Sequence, residues 1–245
     1  MAKYVSFSCF GNKDIYLCGA VANAELVARF YPDWKSVFYI DAQADEVVGG
    51  TLRELGCKVF LRNTRQHGGG MFWRFGACEL EDAEAVIVRD TDSRITFREA
   101  IAVSEWLESG KSLHVMRDHP WHTNQVMGGM WGLQGAKSLG ILSEALQSVS
   151  KSPQYGEDQR FVSDIVYSLF KRDVMVHDSF SKQELRRKKF LPRNGGEFIG
   201  EAIDCLGEPN QALRNTVVLF ENNPFKAFVH RVIWKSQRIS KKLVP

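Results

Sequence analysis

The chain has 245 residues, 44% of them hydrophobic and 25% charged, with a formal net charge of +3. That composition supports one sizeable core and excludes a disordered chain, and no apolar run approaches the ~18 residues of a membrane span. Five scattered cysteines (Cys9, Cys18, Cys57, Cys78, Cys205), odd in number and without a C-x-x-C pair, argue against structural disulfides or zinc and for a reducing compartment.

The opening run MAKYVSFSCFG reads as a first strand over Tyr4 to Phe10, and not as a signal peptide. A helix follows from about Asp14 to Tyr31, with Tyr16, Ala20, Ala24, Val27 and Tyr31 near helical spacing, stopped by Pro32. Ser36 to Ile40 is a second strand, Ala44 to Leu55 a helix closed by Gly56, and Lys58 to Leu61 a third strand. Met71 to Leu80 reads as a helix entered through Gly68-Gly69-Gly70, and Ala85 to Val88 as a fourth strand. Thr96-Phe97-Arg98-Glu99 forms a capping box for a helix ending at Gly110, and Leu113 to Met116 is another strand. This alternation predicts an open, mainly parallel α/β sheet flanked by helices. Ligands collect at the carboxyl ends of the strands in such sheets.

The fourth strand ends in Arg89-Asp90-Thr91-Asp92. Two carboxylates one residue apart repel, and neither is easily buried alone. They are either solvated acids ahead of the next helix or ligands of a hard divalent cation with positions left open for phosphate oxygens. Arg89 and Arg94 flank the pair. Two enzymatic settings use D-x-D at a strand end. In haloacid-dehalogenase-type phosphohydrolases the motif usually closes the first strand; in nucleotide-sugar transferases it lies about a hundred residues in. Its position here, after three earlier strands, fits the second.

The order D-T-D, then R-D-H-P with G-G-M-W-G, then Glu157-Asp158-Gln159, then V-H-D-S-F around His177 resembles retaining glycosyltransferases of the glycogenin and lipopolysaccharide galactosyltransferase type. It is similar also to uncharacterised bacterial surface-polysaccharide transferase-like proteins that share M-F-W-R-F, H-V-M-R-D-H-P and Y-G-E-D-Q. The resemblance covers roughly residues 4 to 180 and implies a GT-A fold. It implies that Asp90, Asp92 and His177 hold Mn²⁺ or Mg²⁺, although the usual His-x-x-Gly-x-x-Lys pattern is absent after His177. Arg74 would reach donor sugar or phosphate, unless it snorkels over the apolar Met71-Phe72-Trp73-Phe75 face. Asp158 and Gln159 would lie beneath the anomeric carbon as the reacting pair, and Asp118 would receive sugar hydroxyls. Gly128 and Gly129 would let the backbone approach the donor. Trp131 is either a sugar platform or a core residue. His114, His119 and His122 form an H-x4-H-x2-H series that Pro120 keeps off one helix face.

Of 32 basic residues six lie in 223–245, where there is no acid, leaving 26 basic against 29 acidic residues elsewhere. Asn223-Pro224 reads as an N-cap and first helical position, with Phe225, Phe228, Val229 and Val232 along one face. A basic amphipathic helix of this kind either lies on an anionic membrane or docks on the body. No nucleic-acid-binding motif accompanies it.

The sequence therefore predicts a GT-A-like α/β domain over 1–222 and a basic C-terminal helix over 223–245. The expected activity is metal-dependent hexosyl transfer, with retention, from a nucleotide diphosphate sugar (a UDP-sugar first) to a saccharide or lipid-linked acceptor in bacterial surface-polysaccharide synthesis. The expected location is cytoplasmic, peripheral at the inner membrane face if the tail binds lipid. The alternatives are a metal-dependent phosphohydrolase using Asp90 and a non-catalytic nucleotide-sugar-binding relative.

Overall fold

Short, nearly continuous apolar runs build one seven-stranded sheet. The computed structural model describes residues 1–63, 69–149, 154, 156–230 and 232–233. The strands are β1 (Ala2–Cys9), β2 (Trp34–Ile40), β3 (Lys58–Leu61), β4 (Ala83–Asp90), β5 (Leu113–Arg117), β6 (Met130–Gln134) and β7 (Val174–Asp178). Their spatial order is β3-β2-β1-β4-β6-β5-β7. β6 runs antiparallel to β4 and to β5, and every other pairing is parallel. The open, mainly parallel sheet that the sequence implies is therefore present.

Both faces are covered. Val5, Phe7, Phe38, Ile40, Ala85 and Ile87 face one way, onto α1 (Asp14–Phe30), α2 (Ala42–Ala44), α3 (Gly50–Glu54) and α4 (Phe97–Ser109). Tyr4, Val37, Tyr39, Val86, Val88 and Trp131 face the other way. There they meet a 3₁₀ segment (Gly70–Glu79), α5 (Ala136–Leu146), and α6 (Glu157–Arg160) continued through a π-type stretch (Phe161–Val166) into α7 (Tyr167–Phe170). Continuous apolar runs such as Ala85-Val86-Ile87-Val88 are what two-sided burial demands.

Local signals account for several boundaries. Thr96 caps α4 by accepting from the Glu99 N–H at 3.2 Å, and Gly110 closes it in the left-handed region at φ 67°. Glu99 does not complete the capping box; its side chain turns to Arg89 across the sheet face. The segment 71–80 coils, but as 3₁₀ rather than α. β6, α5 and α8 (Gln211–Asn222) are additional to the expected elements. β6 carries no strand signature because it is short and centred on Gly132, where a Cβ would sit 2.8 Å from Ile87 and 3.0 Å from Trp106.

The cysteine expectation is overturned. Cys18 in α1 and Cys205 in the segment before α8 form a disulfide across 187 residues, with Cα atoms 5.7 Å apart. Spacing alone could not reveal a pairing made by tertiary contact. It also removes the cysteine argument for a reducing compartment.

After α8, Asn223 caps a further helix, α9 (224–230), by accepting from the Lys226 N–H at 2.9 Å. Ala227 is buried and His230 meets Phe220 edge-on, so one edge docks on the body. Phe225 (75% exposed), Phe228, Val229, Val232 and Ile233 remain in solvent. Arg231 and residues 234–245, which carry most of the tail's positive charge, lie outside the described residues, as does Gly68. Among the described residues no helix is long and apolar enough to cross a membrane.

Candidate functional site

Strand alternation sends Asp90 and Arg89 to opposite faces. Arg89 turns under α4, where it pairs with Glu99 and donates to the carbonyls of Val88 (2.7 Å) and Trp131 (3.1 Å). Asp90 turns toward the 3₁₀ segment, whose backbone is seated on two β1 hydroxyls. Ser6 donates to the Arg74 carbonyl at 2.6 Å, and the Arg74 N–H donates to Ser8 Oγ at 2.9 Å. From this seat the buried Arg74 guanidinium reaches Asp90 with Nη1 and Asp158 with Nη2, the latter at 3.1 Å. Burial opposes the Arg74 charge, but the two carboxylates more than offset it and raise its pKa. Among the described residues its buried Nε has no hydrogen-bond partner. Arg74 is thus a bridge between the D-x-D motif and the Asp-Gln pair, and not a side chain snorkelling over an apolar face.

Two glycines complete the cluster. The Gly128 N–H donates to Gln159 Oε1 at 2.9 Å, and a Cβ on Gly128 would lie 3.3 Å from both Arg74 Nη2 and Asp158 Oδ2. A Cβ on Gly129 would sit 2.0 Å from Asp90 Oδ2, so only glycine fits there. Gln159 Nε2 donates to the Val126 carbonyl and to Ser163 Oγ, which fixes the amide. Arg74, Asp90, Gly128, Gly129, Asp158 and Gln159, drawn from four chain segments, therefore meet in one place.

Asp92 stands beside them. Its carboxyl is pushed up to about 6 by burial and by the neighbouring Asp90 charge. Arg74 and Arg94 offset only part of this, and two neighbouring carboxylates are a donor set that fits a divalent cation. Mg²⁺-like sites commonly use one or two carboxylates and leave the remaining positions to water and phosphate oxygens. The loop carrying Asp92 is braced from α1. Asn23 Nδ2 donates to the carbonyls of Thr91 (3.2 Å) and Ser93 (2.7 Å), and its Oδ1 accepts from the Ile95 N–H. Arg94 Nη1 donates to the carbonyls of Thr91, Asp92 and Ser93.

Three expected site residues are placed elsewhere. His177, on β7, bonds Glu105 through Nε2 and His114 through Nδ1, both at 2.9 Å. Burial lowers its pKa against the opposing pull of Glu105. If Nε2 donates to Glu105, Nδ1 accepts from His114, and the buried His114 Nδ1 has no partner among the described residues. β6 and β5 separate His177 from β4, so it does not complete a third ligand; among the described residues no three His, Cys, Asp or Glu are placed to hold a metal. Asp118 is fully buried. It is gripped by Arg98 (2.9 Å), Arg193 (2.7 Å), Ser179 Oγ and the Ile199 N–H (3.0 Å), so its oxygens are occupied by protein donors. Trp131 is fully buried against Phe75, and its Nε1 braces the Gly128 carbonyl at 3.1 Å; it presents no face to a sugar. Of the H-x4-H-x2-H series, His114 lies apart beside His177, while His119 and His122 pack ring to ring at 5.6 Å; His122 accepts from the Asp118 N–H and His119 bonds the Leu213 carbonyl.

Ser6, Ser8 and Asn23 are the supporting residues that pattern reading passes over. A signal existed for each: two serines alternate on the Tyr4 face of β1, and Asn23 stands on the same stripe of α1 as Ala20, Ala24 and Val27.

No protein-family model matches the chain, and no curated protein matches it. Among solved structures it is similar to a glycosyltransferase involved in the glycosylation of the major capsid of PBCV-1, at 11% identity, over 73% of this chain and 82% of that one, with a TM-score of 0.47. It is similar to the 1–349 fragment of S. aureus TarS at 10% identity and TM-score 0.49, over 77% of this chain but only 60% of that fragment. It is similar to the galactosyltransferase LgtC at 17% identity and TM-score 0.42, over 71% and 73% of the two chains. Nucleotidyltransferases, among them a cytidylyltransferase from Leptospira borgpetersenii, match as well.

Proposed function

We propose that the protein is a GT-A-type glycosyltransferase moving a hexose from a nucleotide diphosphate sugar to a saccharide or lipid-linked acceptor. The reading rests on one observation: Arg74 joins Asp90 to Asp158, so the D-x-D end and the Asp-Gln end form a single cluster under two glycines. Asp90 and Asp92 would hold Mn²⁺ or Mg²⁺, which when bound offsets negative charge on the diphosphate leaving group. Gly128 and Gly129 leave room for Arg74, Asp158 and the Asp90 carboxylate to close against the backbone. Asp158, held by Arg74 in the first turn of α6, would stabilise positive charge developing at the anomeric carbon, and retention is the outcome this reading expects. Gln159 orients the Gly128 peptide.

The test is ligand-dependent thermal stabilisation. UDP-sugars are expected to raise the Tm only with Mn²⁺ or Mg²⁺ present. Equal stabilisation in EDTA would remove the metal from the reading. Asp92→Asn should abolish the cation-dependent gain. In metal-free buffer it should also stabilise the protein, because an acid whose folded pKa is raised binds its proton better folded than unfolded. Stability from Asp92 is thus present at low pH and lost as pH rises from about 4 toward 6. The Asn variant should gain about 1–2 kcal/mol at pH 7.5 and little at pH 4. Slow hydrolysis of one nucleotide sugar with retained anomeric configuration supports the transferase. Phosphate release from generic phosphoesters, stopped by Asp90→Asn, would favour the phosphohydrolase, and ligand binding without turnover a non-catalytic relative.

The tail fits work at the inner face of a cytoplasmic membrane in surface-polysaccharide synthesis. The exposed Phe225, Phe228, Val229, Val232 and Ile233 belong to a segment with six cations and no acids. Each Lys or Arg near an anionic surface contributes about 1 kcal/mol. Co-sedimentation with vesicles should require anionic lipid, weaken with salt, and drop at least tenfold in Phe225→Ser/Phe228→Ser, an estimate from the apolar area removed. Binding that persists in this variant would leave the tail as a docked helix.

A further inference from the structure

The loop that carries Asp92 lies between two segments that are covalently joined. On one side is α1. A Cβ on Gly19 would sit 2.0 Å from the Thr91 carbonyl oxygen, so the helix backbone rests directly on the loop, and Asn23 ties the next residues. On the other side is segment 201–205. The Ile203 N–H donates to the Asp92 carbonyl at 2.9 Å, and Ala202 forms a bridge with Ser93. Arg94 Nη2 donates to the Ile203 carbonyl at 3.2 Å and the Asp204 carbonyl at 3.4 Å. Cys18 immediately precedes Gly19, Cys205 follows Asp204, and the two are bonded. The disulfide closes a ring around the loop at the point where both neighbours touch it.

The bond is reachable. Cys205 is exposed and Cys18 half-buried, whereas the free Cys9 and Cys78 are buried and Cys57 is half-buried on the far part of the sheet. Without the bond, segment 201–205 holds the loop by hydrogen bonds at a partly exposed edge, which exchange readily with water.

We infer that the Cys18–Cys205 disulfide is a redox-sensitive clasp that fixes the Asp90–Asp92 loop, and that a dithiol reductant opens it and weakens ligand binding there. A thiolate of the dithiol attacks Cys205 Sγ, and the Sγ–Sγ electron pair leaves on Cys18 as a thiolate. The second thiol of the reductant then displaces Cys205. The protein takes up two electrons and two protons as two thiols, and the reductant becomes its cyclic disulfide. With the ring open, segment 201–205 lifts from the loop, and the carboxylate pair loses its preorganisation. The consequence for cation-dependent ligands rests on the reading of Asp90 and Asp92 given above; the clasp itself does not.

The experiment uses the full chain purified without reductant. Thiol labelling followed by peptide mass spectrometry should find Cys18 and Cys205 unlabelled before dithiothreitol treatment and labelled after it. Hydrogen exchange should rise in peptides covering 90–95 and 201–207 on reduction, while β1 and β2 stay protected. The Cys18→Ser/Cys205→Ser variant should match the reduced wild type and ignore reductant. Cation-dependent UDP affinity should fall about tenfold on reduction, within the usual span of coupled sites. Free thiols at both positions in the unreduced protein, or unchanged exchange at 90–95 after reduction, would overturn the clasp. Exchange that rises as expected while UDP fails to bind in either state would keep the clasp and reject the nucleotide-sugar reading.

Discussion

Arg74→Met is expected to lower the stability of the protein by about 3–5 kcal/mol, the range found when one partner of a buried ion pair is removed. For a chain of this size each kcal/mol corresponds to roughly 2–4 °C, so the Tm should fall by about 6 °C or more. Most of the cost arises at Asp158, whose side chain is only 9% exposed and loses its cation. Asp90 contributes less, because its side chain is 47% exposed and water can take over. Arg74→Lys should recover only part of the loss, since an ammonium cannot reproduce a fork that reaches two carboxylates at once. Calorimetry or chemical unfolding checks this directly. A variant with unchanged Tm would mean that Arg74 does not bridge the two acids, and the joined site would fall with it.

Asp118→Ala is expected to cost about as much, again about 3–5 kcal/mol, and to do so by leaving cations unpaired. Arg98 and Arg193 converge on this one carboxylate, and their side chains are 9% and 7% exposed. Arg193 retains Glu221 at 2.9 Å, so the heavier loss falls on Arg98. Asp118 also fastens the Ile199 N–H, and with it the approach to segment 201–205. Asp118→Asn keeps the shape but supplies a neutral acceptor, and should lie between wild type and Ala. A sugar contact would behave differently: wild-type Tm with a raised KM. Urea unfolding of both variants beside donor titrations separates the two outcomes, and an unperturbed Tm would return Asp118 to the binding surface.

The elements that could be read from the sequence are those whose evidence is local. β3 occupies Lys58–Leu61 as its apolar run implies, and α4 starts after Thr96 and stops before Gly110 because cap and stop are coded within a turn. That Asp90, Arg74, Asp158, Gln159, Gly128 and Gly129 meet in one place is a tertiary fact, for which motif order supplied a resemblance and no physical derivation. What could not be read depended on tertiary partners. Asp118 looks like a free polar residue until Arg193 arrives from 75 residues downstream. His177 sits at a strand end as expected, yet the neighbouring strand supplies His114 and α4 supplies Glu105, and these take both ring nitrogens. Trp131 is silent about its surroundings because an indole serves equally as core or as platform; burial decides, and it is complete. Cys18 and Cys205 carry no mark of their pairing.

The reversed strand β6 has a bearing on how the chain is made. β4 gains its parallel neighbour β1 from residues already synthesised, but its other edge stays open until Met130–Gln134 emerge and pair with Ala85–Arg89. Throughout that interval the run Ala85-Val86-Ile87-Val88, apolar on both faces and without proline, is an unpaired strand edge of the kind that recruits other chains. Nascent chains stalled between α4 and β6 are therefore the species most exposed to aggregation, and slow passage of the ribosome through 91–130 is the stage at which a chaperone has most to protect.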